Sequence, residues 1–434
     1  MSVNRPVNRT LCEYETVEYD ELGISIDHPF ITALDLLNQQ VVSEIVQIQR
    51  TAIKATQYVG VIHTTYGSLT ILPKVDSLIE TEKQATLNLI RLLEYAYDLP
   101  LLSQADANLM TGRGNWFELL ILIFARKLYE QFQQGLERTY ITVEESQPTL
   151  KGRWLMMQQL TKHPATHHIF DVQYDEFLAD TPLNRVFRYV IDVLLGLSRS
   201  SQNRRLLSDM KSMLDQVTVV HRMTKSDLDK IIFTRLNDRF YATFQLARLL
   251  IESMTQVMQT GKTPLSAFVF DMNELFERFV AQFLIKHWQQ IVSKPYRSIQ
   301  VKAQMRDEKQ IYLAKGSDGR NAFQLIPDLV LRNPLHEIVL IVDTKYKQLK
   351  TKNPNLGVSQ ADMYQMLAYS QRLGCPHVLL LYPSNLGEVL NHSFSMFDSD
   401  IKIDVRTLNI HQPLHHLEIL IHEFQSIFIP YLSS

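Results

Sequence analysis

Cysteine is nearly missing from this 434-residue chain: Cys12 and Cys375 are the only two, far apart in sequence. A lone distant pair excludes a thiolate zinc cluster and points to a reducing compartment. Glycine (14) and proline (16) are sparse as well, which argues against a long flexible linker. Charge of one sign is not in excess, since 44 Lys and Arg face 46 Asp and Glu for a net −2. Phosphate binding would therefore have to rest on local basic patches. Long apolar runs are absent too. The most lipid-like stretch, Trp116 to Tyr129, is interrupted by Glu118, Arg126 and Lys127 and falls short of the roughly 20 apolar residues that span a bilayer. A buried helix is the expectation there. Met1 to Leu11 lacks the apolar core of a signal peptide, so a cytoplasmic protein is expected.

What is present is a core-forming composition, 45% apolar and 21% charged, in a chain long enough for two or three domains. The first hundred residues read as strands: Glu15–Tyr19, Ile45–Gln49, Gln57–His63 and Leu69–Pro73, the last two flanking a hairpin signal at Tyr66-Gly67-Ser68. Leu89, Leu92, Leu93 and Ala96 then recur at helical spacing. From about Asn115 to Thr260 the chain reads as chiefly helical. Thr181-Pro182 marks a helix start, and a long helix is predicted over Asn237–Met258, ending at Gly261-Lys262-Thr263-Pro264.

The last segment alternates. A helix from Asp271 to about Gln290 precedes strands at Ser298–Ala303, Gln310–Ala314, Phe323–Leu331 and Glu337–Tyr346, a helix over Gln360–Leu373 and a strand over His377–Tyr382. The expected fold is α/β (α+β overall): a β-rich N-terminal domain over 1–110, a helical middle over 111–262, and over 263–434 a domain with a mixed sheet flanked by helices.

Chemistry concentrates in that last part. The apolar run Ile338-Val339-Leu340-Ile341-Val342 ends abruptly in Asp343-Thr344-Lys345. Because strand side chains alternate, Asp343 and Lys345 share a face, and a hairpin through Asn333-Pro334 brings Asp328 beside them. Two such carboxylates repel each other unless a cation lies between them. Mg²⁺ suits the pair because it takes few carboxylates and keeps waters for a substrate phosphate. Lys345 would orient the attacking water or offset charge building on the phosphorus. The plainer alternative is a strand ending in solvated polar residues, with Asp328 a turn acid.

On the preceding helix, Leu275, Phe276, Phe279, Val280, Phe283 and Leu284 form an apolar stripe. Glu277 flanks that stripe and can lean over the sheet edge as a third carboxylate, or be an ordinary surface acid. Glu274 lies opposite, in water. Gln365 and Tyr369 share a later helix face, either supporting the site or forming a boundary polar pair. Lys294, Arg297, Lys302, Arg306, Lys309, Lys315 and Arg320 outnumber the acids Asp307, Glu308 and Asp318, as a phosphate-contacting surface or a solvated hairpin face would.

Other signals carry less. Gly261-Lys262-Thr263 resembles the end of a phosphate-binding loop, but Gln256 stands where a glycine is required and a helix is predicted to precede it. No cofactor site follows from it. The clusters His163, His167, His168 and His411, His415, His416 have no cysteine or carboxylate motif beside them and read as exposed loop histidines.

Taken in order, several segments resemble the McrC family, the nuclease subunit of the McrBC 5-methylcytosine restriction system. They are Val59-Gly60-Val61-Ile62, Leu69 to Lys74, Leu150-Lys151-Gly152-Arg153, Tyr174 to Phe177, Asp180 to Arg185, Phe270 to Glu277, Pro327-Asp328, Asp343 to Lys347 and Asp362 to Tyr369. The resemblance implies a C-terminal PD-(D/E)xK restriction-endonuclease-like domain that cuts double-stranded DNA with Mg²⁺. Asp328, Asp343 and Lys345 would be its catalytic core, Asp328 and Asp343 the metal ligands and Glu277 the helix acid, with Gln365, Tyr369 and Lys347 in support. It also implies a partner, a hexameric AAA+ GTPase of McrB type. The partner would bind the GTP, and the N-terminal part of this chain would dock on it and stimulate hydrolysis. Two other functions stay open: a non-cleaving activator of an AAA+ NTPase, and a standalone RecB-like nuclease in DNA repair.

Overall fold

The computed structural model describes residues 6–41, 43–73, 82–99, 116–161, 168–259, 262–304, 310–347, 349–350, 352–384, 389–410, 414 and 416–432. The domain boundary expected between 110 and 111 lies outside them, as do Lys74, Gly261, Arg306, Lys309, His163, His167, His411 and His415. The chain forms two compact units. One joins Met1–Phe117 to Ser253–Ser434, and the other is Glu118–Glu252.

In the first unit the hairpin signal is where Tyr58–Thr64 turns into Gly67–Leu72. Gly67 has φ +143, and a Cβ there would lie 1.9 Å from the carbonyl oxygen of Val7. Only glycine lets the edge strand Val7–Cys12 pair alongside in parallel. The five-stranded sheet runs Val7–Cys12, Gly67–Leu72, Tyr58–Thr64, Lys262–Asp271, Met254–Gln259. Its last two members correct the helix expected over Asn237–Met258. The α-helix covers only Tyr241–Glu252, after which Met254–Gln259 is a strand paired with Lys262–Asp271. Pairing with the next strand, itself held by the distant Tyr58–Thr64, overrides the local helical spacing there.

A three-stranded sheet, Thr16–Glu18, Ala52–Ala55, Val46–Ile48, and the helix Pro29–Asn38 complete this part. The helix starts at Pro29 behind the capping side chain of His28 and buries Phe30, Ile31, Leu34 and Leu37. These pack with Leu11, Ile62, Leu69 and Ile71 of the sheet.

The C-terminal sheet has six strands in the order Gln300–Ala303, Leu329–Arg332, Ile338–Thr344, His377–Pro383, Lys402–Leu408, Asn391–Ser395. It is mixed, with parallel pairing on both sides of His377–Pro383 and antiparallel pairing elsewhere. The strand expected over Phe323–Leu331 is broken. Asn321–Leu325 pairs with Ile311–Lys315 in a separate hairpin, and Leu329–Arg332 joins the main sheet. Pro327, which has no N–H to give a ladder, stands in the break. The apolar run is interior as expected: Leu340, Ile341 and Val342 are fully buried.

Helix Gln360–Leu373 covers one face, packing Met366 and Tyr369 with Val330, Ile341, Val378 and Leu380. Helix Met272–Ile291 packs on strands Gln300–Ala303 and Ile338–Thr344. All six residues of its predicted stripe are buried, each fully buried Phe or Leu contributing roughly 1.5–3 kcal/mol. Tyr95 of helix Glu82–Ala96 meets Phe279 and Phe283 edge-on, and Phe424 stacks on Phe283 at 4.5 Å.

The second unit holds the predicted helix start: the Thr181 hydroxyl accepts from the Asn184 N–H at 3.2 Å, with Pro182 first in helix Pro182–Leu197. It also holds a three-stranded antiparallel sheet, Thr139–Gln147, Phe170–Leu178, Arg153–Trp154, where helix was expected. Thr139–Gln147 is solvated on both faces, so no apolar alternation marks it in the sequence. Among the described residues no helix is long and apolar enough to cross a membrane.

Candidate functional site

Antiparallel pairing fixes where the acids fall. Leu329 lies opposite Val342, so one step further along the ladder Asp328 comes level with Asp343 on the same face. The next residue holds the arrangement: the Thr344 backbone N–H and hydroxyl both donate to Asp328 Oδ2, at 2.7 and 2.8 Å. Asp343 is 2% exposed. Lys345, two residues on and therefore on the same face, places Nζ 2.8 Å from Asp343 Oδ2. The three side chains that strand alternation and the hairpin predict to converge stand together in the structure.

Glu277 is half-buried at the edge of this group, whereas Glu274 is exposed and pairs with Arg278 at 2.5 Å. Gln365 and Tyr369 also reach the site. Gln365 accepts from Lys345 Nζ at 3.2 Å and donates to the Tyr369 hydroxyl at 3.0 Å, which donates to the Ile326 carbonyl at 3.0 Å. Lys347 stands apart from the two aspartates and pairs with Asp362 at 3.4 Å.

Two residues at the site escape a reading of the sequence. Asp362 is buried between Lys345, at 3.7 Å, and Lys347. It is also the third residue of helix Gln360–Leu373, its N–H bonded to the capping Ser359. A Ser-x-x-Asp helix start accounts for it in the sequence without any role in a site. Gln304 follows strand Gln300–Ala303. Its amide donates to Glu277 Oε1 at 2.5 Å and its backbone N–H to the Asp328 carbonyl at 2.8 Å. Nothing in the sequence marks it. Of the basic residues counted nearby, Lys315 and Arg320 are exposed on the hairpin.

The electrostatics are those of crowded acids in a dry place. Burial, then repulsion from Asp343, pushes the Asp328 carboxyl up to about 6. Burial raises Asp343 as well, against the pull of Lys345. Glu277 is raised by burial and by Asp328. Burial by itself would lower the Lys345 ammonium, but Asp343, Asp362 and Asp328 outweigh it and keep Lys345 charged. Burial works against the charged form of Asp362, yet Ser359, Lys345 and Lys347 hold it low.

A buried Asp343 and a half-buried Asp328 that resist sharing negative charge are suited to a divalent cation, and an all-oxygen donor set suits Mg²⁺. Among the described residues no three His, Cys, Asp or Glu side chains gather into a ready metal cage. The residues present fit Mg²⁺, which Asp328 and Asp343 could hold.

A family model described as "McrBC 5-methylcytosine restriction system component" matches residues 53–383. No curated protein matches. Among solved structures, a chain of the refined half-complex from the tetradecameric assembly of Thermococcus gammatolerans McrB AAA+ hexamers with bound McrC is similar over 98% of this chain and 99% of that one. The identity is 24% and the TM-score 0.68. A chain of the cryo-EM structure of the Thermococcus gammatolerans McrBC complex is similar over 66% of this chain and 90% of that one, at 28% identity and TM-score 0.51.

Proposed function

Because the chain belongs to the family of McrBC 5-methylcytosine restriction system components, as a subunit of McrC type, we propose that it is the DNA-cleaving subunit of such a system. In this reading its C-terminal part is a PD-(D/E)xK nuclease that hydrolyses phosphodiester bonds of double-stranded DNA with Mg²⁺ in the cytoplasm. It works docked on, and stimulating, an AAA+ GTPase of McrB type. GTP belongs to that partner. The similarity to chains solved with McrB hexamers supports the partner.

The observation that carries the hydrolytic role is the level placement of Asp328 and Asp343 beside a charged Lys345 at one sheet end. Asp328 and Asp343 would hold Mg²⁺, which would supply Lewis-acid polarisation of a phosphoryl oxygen and a lowered pKa for water. Asp328 is ready to bind because Thr344 fixes one of its oxygens from two directions. Lys345 brings positive charge to where negative charge builds on the phosphate, and the Gln365–Tyr369 chain orients its ammonium. Lys347 and Asp362 balance charge behind it. Glu277 adds a third acid facing Asp328.

Asp343→Ala tests this in the reconstituted complex. Mg²⁺-dependent DNA cleavage is expected to vanish while stimulation of the partner's GTP hydrolysis stays at the wild-type level. A variant that cuts DNA normally refutes the assignment.

A further inference from the structure

Gln304 has a backbone that glutamine rarely adopts. Its φ is +49, in the left-handed region, where a side chain with a Cβ is strained and glycine or asparagine is favoured. Strained residues persist where the surrounding structure needs the side chain there. Two contacts say what Gln304 is needed for. Strand Gln300–Ala303 ends with Ala303 opposite Leu329, so Gln304 stands level with Asp328 and its N–H bonds the Asp328 carbonyl at 2.8 Å. Its side-chain amide reaches across to Glu277 Oε1 at 2.5 Å. One residue thus ties the strand end that carries Asp328 to the helix that carries Glu277.

We propose that Gln304 is a positioning residue of the nuclease site: its left-handed backbone aims the side-chain amide at Glu277 and fixes that carboxylate against Asp328. The inference rests on the nuclease reading above. The amide is the right group for the task. A carboxylate in its place would repel Glu277, and a lysine would neutralise it, whereas a neutral donor holds it in place and leaves its charge available. Burial and Asp328 both press Glu277 toward its protonated form, and the Gln304 hydrogen bond opposes them. Loss of a partner that orients an acid at such a site typically costs 10–100-fold in activity or metal affinity.

The test separates the amide from the backbone turn. Full-length Gln304→Ala, Gln304→Gly and Gln304→Glu chains are assembled with the partner GTPase, and kcat, KM for DNA and the Mg²⁺ requirement of cleavage are measured beside thermal melts. Gln304→Ala is expected to lower kcat at least tenfold, with KM for DNA within about twofold of wild type. Gln304→Gly, which suits φ +49, is expected to melt higher than Gln304→Ala yet stay as slow. Gln304→Glu should be slowest and need the most Mg²⁺.

Recovery of kcat in Gln304→Gly would show that only the turn matters and would overturn the proposal. Wild-type kcat in Gln304→Ala would overturn it as well. Wild-type and Asp343→Ala complexes run alongside. If the wild-type complex cuts DNA and Asp343→Ala does not, the nuclease reading stands whatever Gln304 does. If the wild-type complex leaves DNA intact, it is the nuclease reading that fails.

Discussion

Asp328→Asn should make the metal-free protein more stable at neutral pH, although it removes a proposed metal ligand. Asparagine keeps an oxygen for the two Thr344 donors, at 2.7 and 2.8 Å, and removes a charge that burial and Asp343 oppose. In the unfolded chain the carboxyl ionises near its ordinary 3.8, whereas in the folded chain it is held protonated up to about 6. Between those values the folded state binds more protons than the unfolded one. Stability therefore falls as pH rises through that window, and above it the full penalty remains. At about 1.4 kcal/mol per pH unit the penalty is about 3 kcal/mol, or about 5 °C in melting temperature for a unit of this size. The assay is thermal and urea melting of both proteins in EDTA at pH 8, 6.5, 5 and 4. The variant is expected to melt higher at pH 8, with the gap closing toward pH 4. Added Mg²⁺ should raise the wild type alone. Coincident melts at pH 8, or a gap that does not close on acidification, would refute the reasoning.

Mg²⁺-supported cleavage should fall as pH drops below about 6, because protons compete for Asp328; raising Mg²⁺ should move that limb to lower pH, and a limb indifferent to Mg²⁺ would count against the ligand role. Gly60→Ala should destabilise the first unit by several kcal/mol, since a Cβ there would lie 2.2 Å from the Phe268 carbonyl oxygen across the strand pair; calorimetry showing an unchanged transition would refute that packing.

The legible parts of the molecule are those where local pattern and long-range placement agree. Alternation put Asp343 and Lys345 on one face, and the apolar run before them made that strand interior. The stripe on Met272–Ile291 separated half-buried Glu277 from exposed Glu274. What stayed hidden depends on tertiary pairing and contact. Met254–Gln259 looks helical until Lys262–Asp271 folds back to pair with it, and Tyr58–Thr64 claims the other edge of that returning strand. Asp362 reads as a first-turn acid behind the capping Ser359, which it is, and its contacts with Lys345 and Lys347 come from the fold. Tyr346 packs at a tilt against Phe276 and its hydroxyl donates to Glu13, a link across 333 positions that no spacing announces.

The most direct test of the account is a Mn²⁺ titration of the full-length chain at pH 7.5, followed by the electron paramagnetic resonance signal of the free ion. The wild type is expected to take up Mn²⁺ at a site that Asp343→Asn loses and that Mg²⁺ displaces. Undiminished uptake by Asp343→Asn would contradict the assignment of that carboxylate to a cation.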